Sequence, residues 1–323
     1  MPLSGAVNAI KSSRLLSWKP IGKLQQTIAN SIQLSGITLH SGKITTVKIY
    51  PELAQKGRYF YFNSTIIPAS IQHVNSSPLC TTLCKSNHTI RTVEHLLSAL
   101  EATGVDNCRI EIIDPSSQDN LSTEVPIFDG SAREWVDAIE RVGLKVAEDS
   151  SGSSCEKLAP FLNEPVHVRK NDSFIAAFPL PKGCLTYGIN FPQVPAIGCQ
   201  WFSTASLDDP WYTREIAPSR TFCIFEEVQT MRNAGLIKGG SAENALVCSA
   251  DKGWLNPPLR FHDEPCRHKV LDLIGDLSLL AQNGNQGLPV AHIVAYKFSK
   301  EPCTVVPGKF QHSAASDQLT NLE

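Results

Sequence analysis

Residues 267–276 read RHKVLDLIGD, and this stretch predicts a buried helix with one polar edge. His268, Asp272 and Asp276 recur at every fourth position, so an α-helix would place all three along the same edge. The residues between them are mostly apolar and fill the other faces, which is typical of a helix surrounded by protein. The fold must therefore bury an imidazole and two carboxylates together.

A buried polar row must find partners, because an unpaired polar group inside a protein costs several kcal/mol. His268 and Asp272 lie one helical turn apart and can both reach a single zinc ion. The alternative is a His–Asp pair that only closes a hydrogen bond inside the core. A metal site would need a third ligand from another part of the chain.

Composition limits the classes of function. The chain has 323 residues, of which 42% are apolar and 19% charged, with a formal net charge of −2. These values indicate a folded chain of two ordinary domains or one large domain. They give no general electrostatic attraction to nucleic acid, and no apolar run is long enough for a transmembrane helix. Ten scattered cysteines without a CxxC pair favour reduced, structural thiols in a reducing compartment.

The first residues have a composition of their own. The first acidic residue is Glu52, whereas four basic residues and several serines precede residue 24. A basic, serine-containing and acid-free start is typical of an organellar transit peptide. The alternative is a frayed, mildly basic tail. On either interpretation we expect residues 1–23 to lie outside the fold.

A polar, Gly/Ser-rich stretch at residues 148–156 divides the chain. Strand-like and helical segments lie on both sides of it. We therefore expect a first α+β domain at residues 24–147, a second at residues 157–298, and a divergent C-terminal tail at residues 299–323.

The two halves show a weak internal similarity. A helical segment at 92–103 precedes a strand-like segment at 107–113, and the helix predicted at 267–282 precedes a strand at 292–297. Two α+β halves of the same plan, packed as a sandwich, would place these helices face to face. A cleft between them is a natural binding site.

Glu94 and His95 open the first of these helices and offer the missing ligand. His95 would complete a three-ligand site with His268 and Asp272, an arrangement used by zinc enzymes that activate water. Glu94 could then accept a proton as general base. The chain has no HExxH helix at this site, which disfavours a zinc peptidase.

Seven segments together resemble one known family. They read GITLHSG at 36–42, LCTT at 79–82, TVEH at 92–95, VPIFDGSA at 125–132, SRTF at 219–222, GGS at 239–241, and the stretch at 267–276. With these motifs in this order the chain resembles the UDP-3-O-acyl-N-acetylglucosamine deacetylases, zinc amidases that commit substrate to lipid A synthesis. The resemblance runs from about residue 26 to residue 297.

This resemblance implies a fold and a metal centre. Each half of a two-domain α+β sandwich would repeat one plan of a sheet packed with helices. Zinc would be bound by His95, His268 and Asp272. Glu94 would be the base that activates water against the acetamide carbonyl.

The resemblance also implies supporting roles around the metal. Thr221 would donate a hydrogen bond to the oxyanion, and Lys269 would place positive charge beside the metal. Phe222 belongs to a segment that lines the site and the apolar passage for the acyl chain. Asp276 would orient and charge a catalytic histidine. Cys80 near the site would be an apolar contact with the substrate.

Plainer interpretations of three residues stay open at this point. Lys269 could be a solvated helix residue, and Thr221 could cap the helix that follows it. His40 lies in a glycine-bounded turn, and the resemblance favours a structural role for it. Nothing near Cys80 indicates a nucleophile.

The chain departs from the family pattern after Lys297. Alignment places Lys300 where the family has the histidine that Asp276 serves, and the next histidine is His312. We interpret residues 299–323 as an altered C terminus. A missing general acid typically costs about 10²–10⁴-fold in rate. Zinc binding should survive this change, whereas full turnover would be reduced.

Two functions follow as hypotheses. The first is a zinc-dependent deacetylase that converts UDP-3-O-(3-hydroxyacyl)-N-acetylglucosamine to the free amine and acetate. The alternative is a zinc-bound, catalytically impaired relative that binds this substrate without processing it. We expect a monomer with no nucleic-acid partner and no transmembrane segment. The N terminus predicts a mitochondrial location, with the plastid as the alternative.

Overall fold

The computed structural model describes residues 15–115, 121–204, 209–256 and 258–297. Within these ranges the chain forms five α-helices and one short 3₁₀ turn at Ile71–His73. The helices are α1 Glu94–Thr103, α2 Arg133–Val142, α3 Asp209–Glu215, α4 Phe225–Asn233 and α5 Glu264–Ser278. None of the helices in these ranges has the length and apolar character needed to cross a membrane.

The described residues also form strands throughout the chain. Those before residue 147 are β1 Leu16–Leu24, β2 Gln26–Ile28, β3 Ile32–Ile37, β4 Ile44–Pro51, β5 Arg58–Phe62, β6 Thr65–Pro68, β7 Val74–Asn75, β8 Thr82–Lys85, β9 His88–Arg91, β10 Cys108–Ile113, β11 Ser122–Glu124 and β12 Leu144–Val146. Those after it are β13 Glu156–Leu162, β14 Val166–Lys170, β15 Ser173–Pro179, β16 Cys184–Phe191, β17 Gly198–Ser203, β18 Phe222–Ile224, β19 Leu246–Ser249, β20 Gly253–Trp254 and β21 Ala291–Tyr296.

Two five-stranded sheets repeat one topology. The first has the order β3-β4-β10-β5-β6, and the second has the order β14-β15-β21-β16-β17. In each sheet the third and fourth strands are parallel, and all other neighbours are antiparallel. The central strand follows a helix in both cases, because α1 leads into β10 and α5 leads into β21. The α+β class is confirmed, and the internal similarity in the sequence reflects this repeat.

The repeated helices α1 and α5 pack directly against each other. A Cβ atom added at Gly275 of α5 would lie 2.1 Å from the carbonyl oxygen of Glu94 in α1, so no larger residue fits at this crossing. Leu97 and Leu100 of α1 share one buried cluster with Leu271 and Ile274 of α5. Burial of these side chains supplies most of the stability of helices this short. The crossing brings the first turn of α1 to the polar edge of α5.

One strand corrects the expectation that residues 1–23 lie outside the fold. Strand β1 pairs antiparallel with β13, from Leu16 opposite Leu162 to Leu24 opposite Glu156. Its residues are exposed or half-buried, so β1 lies on the surface of the fold and contributes no buried face. Residues 1–14 lie outside the described part of the chain.

Candidate metal centre

The crossing of α1 and α5 brings three donor atoms together. His95 lies in the first turn of α1, and His268 and Asp272 lie one turn apart on α5. Nε2 of each histidine is 3.5 Å from Oδ1 of Asp272. One ligand atom from each residue lies within 4.8 Å of the other two, and all three residues are buried.

The spacing of these atoms fits a metal better than direct hydrogen bonds. A separation of 3.5 Å exceeds the usual N–H···O range of about 2.7–3.2 Å. Four ligands about 2.0–2.2 Å from zinc form a tetrahedron whose edges are about 3.3–3.6 Å. Two imidazoles and one carboxylate also form the donor set of some catalytic zinc sites. The residues therefore fit a divalent metal such as zinc.

A second contact prepares His268 as a ligand. Its Nδ1 lies 2.9 Å from the backbone carbonyl oxygen of Ser219, so this nitrogen carries the proton and Nε2 presents its lone pair. Burial lowers the pKa of His268 to about 3 against the opposing effect of Asp272, with His95 and Lys269 also lowering it. A neutral imidazole is the form that binds metal.

The His95 ring is oriented by packing. It meets the His268 ring edge to face, with centroids 4.9 Å apart and an interplanar angle of 87°. Among the described residues, no hydrogen-bond partner faces its buried Nδ1 atom. The orientation of this ligand therefore depends on the crossing of the two helices.

Thr81 connects two carboxylates beside the ligands. Its backbone N–H donates to Oε2 of Glu94 over 3.0 Å, and its hydroxyl donates to Oδ1 of Asp276 over 2.5 Å. Glu94 is buried and opens α1, one residue before His95. The arrangement holds a carboxylate next to the ligand set in a fixed orientation, which is what a general base requires.

Lys269 lies within the ligand cluster and only part of its side chain reaches solvent. Its Nζ is 3.1 Å from Oδ2 of Asp272, the carboxylate oxygen that does not face the histidines. The same atom lies 5.9 Å from the centroid of the Phe222 ring. Positive charge and an aromatic face therefore flank the ligands on one side. The alternative interpretation of Lys269 as a solvated helix residue does not agree with this ion pair, in which the Lys269 side chain is 24% exposed.

The backbone of Thr221 is held by a hydrogen bond, and the residue does not begin a helix. Its N–H donates to the carbonyl oxygen of Gly130 over 2.8 Å, and the chain continues into β18. The residue that precedes α4 is Ile224, and it makes no side-chain cap. The interpretation of Thr221 as a helix cap is therefore wrong. Gly130 has φ +87°, and a Cβ atom there would lie 2.2 Å from the carbonyl oxygen of Asn244.

A buried ion-pair network supports the SRTF segment. Glu264, the first residue of α5, is fully buried and accepts hydrogen bonds from the backbone N–H and Nε of Arg220 over 3.0 and 2.8 Å. Arg260 donates to Asp129 over 2.8 Å in the VPIFDGSA segment. These bonds fix the chain around Ser219, whose carbonyl oxygen orients His268.

Cys80 faces the turn that carries His40. The His40 imidazole and the Ser77 hydroxyl lower the pKa of the Cys80 thiol to about 7, although burial alone would raise it. The residue is buried immediately before Thr81. His40 Nδ1 accepts a hydrogen bond from the backbone N–H of Ile237 over 3.4 Å.

Sequence reasoning assigned no role to Thr81, Ser219, Glu264 or Gly275. Thr81, Ser219 and Gly275 lie within the seven motif segments, and Glu264 lies three residues before the last of them. Gly275 carried a usable signal, because a glycine inside a buried helix indicates a close approach of backbone. The other three act through contacts between distant segments, which no local pattern reveals. Lys300 and the tail 299–323 lie outside the described residues.

A buried set of two histidines and one aspartate, with a carboxylate and a lysine beside it, is the kind of site found in mononuclear metal hydrolases. The family comparison agrees with this class. The family model LpxC, UDP-3-O-acyl N-acetylglycosamine deacetylase, matches residues 25–302. The chain belongs to this family.

Named relatives cover most of the chain. Two proteins of Arabidopsis thaliana, named probable UDP-3-O-acyl-N-acetylglucosamine deacetylases 1 and 2, mitochondrial, are each 62% identical over 286 residues, which is 88% of this chain and 87% of each relative. The UDP-3-O-acyl-N-acetylglucosamine deacetylase of Trichormus variabilis is 46% identical over 281 residues, covering 85% of this chain and 94% of that protein.

Proposed function

We propose that this chain is a zinc-dependent deacetylase. Its substrate would be UDP-3-O-(3-hydroxyacyl)-N-acetylglucosamine, and its products the free amine and acetate, the committed step of lipid A biosynthesis. Family membership and the names of the relatives support the activity. The observation that supports a bound metal is the distance of 3.5 Å from Nε2 of each histidine to Oδ1 of Asp272.

His95, His268 and Asp272 would hold the metal. When bound, zinc supplies Lewis acidity that polarises the acetamide carbonyl and favours loss of a proton from the attacking water.

The protein residues would handle protons and charge. Glu94 would take a proton from water as its oxygen bonds to the carbonyl carbon, so the proton moves to the carboxylate. The Thr221 hydroxyl would donate to the developing oxyanion, and Lys269 would add positive charge nearby. The C–N bond would then break as Glu94 returns this proton to the amine nitrogen, which leaves the free amine and acetic acid, and the acid ionises to acetate. Phe222 and Cys80 would contact the substrate.

The second candidate is a zinc-bound relative that binds the substrate with little turnover. The observation in its favour is Lys300 at the position of the family's catalytic histidine. Asp276, the partner that histidine would have, accepts a hydrogen bond from Thr81. A lysine donates a proton readily only if burial brings its pKa down from about 10.4.

An acetate-release assay separates the two candidates. Purified chain with stoichiometric zinc would be compared with Lys300→His and Glu94→Gln variants, with zinc content measured in each. Release by the parent that is lost in Glu94→Gln supports the deacetylase. No release by the parent, with recovery in Lys300→His, supports the impaired relative. A parent that binds no zinc at neutral pH contradicts both.

We also propose a mitochondrial location, a monomeric state and a boundary near residues 148–156 between two domains. The names of the Arabidopsis relatives support the location, and the repeated sheet topology supports the boundary. A fluorescent fusion of residues 1–30 tests the location. Signal confined to mitochondria supports it, whereas plastid or diffuse cytosolic signal contradicts it.

A further inference from the structure

The Glu124 carboxylate is a buried group that the proposed chemistry does not use. It is 2% exposed at the end of β11. Oε1 accepts hydrogen bonds from the His40 N–H and the Thr92 hydroxyl, and Oε2 accepts one from the Ser41 N–H, each over 2.9 Å. Among the described residues no cation forms an ion pair with it. A buried carboxylate is costly to desolvate, so three donors must hold it.

One pair of donors belongs to the turn at residues 38–42, which meets the second half of the chain. The Gly239 N–H donates to the carbonyl oxygen of Leu39 over 2.9 Å, and the Lys238 N–H approaches that of His40 at 3.3 Å. A Cβ atom at Gly239 would lie 2.1 Å from the Thr38 carbonyl oxygen. The turn and the loop 237–240 are therefore fitted to each other.

The loop 237–240 contacts α4 through Arg232, whose guanidinium donates to the carbonyl oxygen of Gly240 over 3.2 Å. No residue of α4 is buried, and Phe225 at its start is 55% exposed. At the start of the helix, Glu226 accepts a hydrogen bond from the Ser249 hydroxyl over 2.6 Å. A short helix without a buried face gains little from packing, so its position depends on such end contacts. The helix continues a segment that starts at Phe222, whose ring centroid lies 5.9 Å from Nζ of Lys269. We call residues 222–233 the α4 wall.

The third donor to Glu124 is the Thr92 hydroxyl, which lies close in sequence to the proposed ligand His95. Thr92 has φ +59°, a left-handed conformation that a β-branched residue rarely adopts. It lies two residues before Glu94, and its hydroxyl bond to Glu124 holds this turn in place. One carboxylate therefore ties the start of α1 to the turn that supports α4.

We propose that Glu124 is a positioning residue for substrate selection. Acting through the turn 38–42 and the loop 237–240, it sets the distance between the α4 wall and the end of α1 that carries Glu94 and His95. This inference rests on the proposed function, because Phe222 at the start of the α4 wall would contact the substrate. Loss of the carboxylate should weaken the advantage of long acyl chains while leaving zinc in place.

The first test is kinetic. Glu124→Gln and Gly239→Ala disturb the turn from opposite sides, whereas Thr45→Val removes a hydrogen bond of 2.8 Å to the Glu124 carbonyl oxygen only and serves as the matched control. Substrates carrying 3-hydroxytetradecanoyl and 3-hydroxybutanoyl chains would be compared. We expect the ratio of kcat/KM, long to short, to fall about tenfold in both disturbing variants, mainly through KM, with zinc content and the control unchanged.

The second test needs no activity. Hydrogen exchange of the Gly239 amide should become about tenfold faster in Glu124→Gln, while amides of β10 keep their protection. If the parent releases no acetate, the proposed function fails, but faster Gly239 exchange still supports the anchoring. Unchanged Gly239 exchange, or an equal loss of kcat/KM on both substrates, overturns the inference.

Discussion

Helices α1 and α5 occupy equivalent places in the two repeated halves, yet they use their polar residues differently. α1 carries Glu94 and His95 in its first turn, and near its C-terminal end Glu101 forms a buried ion pair with Arg58. α5 spreads His268, Asp272 and Asp276 along one edge. The two halves therefore share one backbone topology but carry different polar side chains. The first half supplies Glu94 and His95, and the second supplies His268 and Asp272.

The sharpest way to break this comparison is to neutralise the carboxylate that opens α1. Glu94→Gln keeps the shape of the side chain but removes the proposed base, so we expect turnover to fall about 10²–10⁴-fold. Zinc content and unfolding midpoint should stay near those of the parent. Acetate release and metal analysis measure both, with the exposed Glu140→Gln as control. Comparable turnover in both variants would remove Glu94 from the proposed role.

A substitution at the C-terminal end of α1 should lower the stability of the protein and leave its turnover unchanged. Glu101→Gln leaves the Arg58 guanidinium buried without its counter-charge; the two side chains are 2% and 3% exposed. We expect a loss of about 3–5 kcal/mol in the free energy of unfolding, measured by chemical denaturation. Turnover per folded molecule should be retained. A stable Glu101→Gln variant with reduced turnover would contradict a purely structural role for this end of α1.

The crossing of the helices can be tested with one methyl group. Gly275→Ala places a Cβ atom 2.1 Å from backbone, so we expect a cost of about 1–3 kcal/mol and weaker zinc binding. Gly188→Ala is the matched control, because its Cβ would meet the half-exposed ring of Trp201, which can move. Denaturation and zinc titration measure the difference. Equal effects in both variants would mean that the crossing tolerates displacement.

The smallest expected effect is a difference in reactivity between two buried cysteine thiols, one from each half. The pKa of Cys80 is about 7, whereas burial raises that of Cys266 in α5 to about 12. The thiolate fraction of Cys80 therefore rises as pH passes through about 7, and Cys266 stays protonated. Alkylation followed by mass spectrometry at pH 6, 7 and 8 should show labelling that increases at Cys80 only. Parallel labelling of both cysteines would contradict the assigned environments.

Local periodicity located the elements that carry the candidate site. The predicted helix at 267–282 is observed at Glu264–Ser278, and the predicted strand at 292–297 is observed at Ala291–Tyr296. Strand β1 went unpredicted because none of its residues is buried and because the basic, serine-containing composition of residues 1–23 is typical of a transit peptide. Its pairing partner, β13, lies far away in the sequence.

The sequence by itself determined a buried helix with His268 and Asp272 on one edge, because the 3.6-residue period fixes which side chains share a face. It also determined the α+β class, through two helix–strand units of the same plan. The sequence also predicted His95 as the third member of this set. Only the tertiary structure decided the distance at which His95 meets this edge, that Thr81 joins Glu94 to Asp276, and that Glu124 holds the turn 38–42. Such contacts depend on how closely two helices and several loops approach, and that distance follows from packing the whole core around residues such as Gly275.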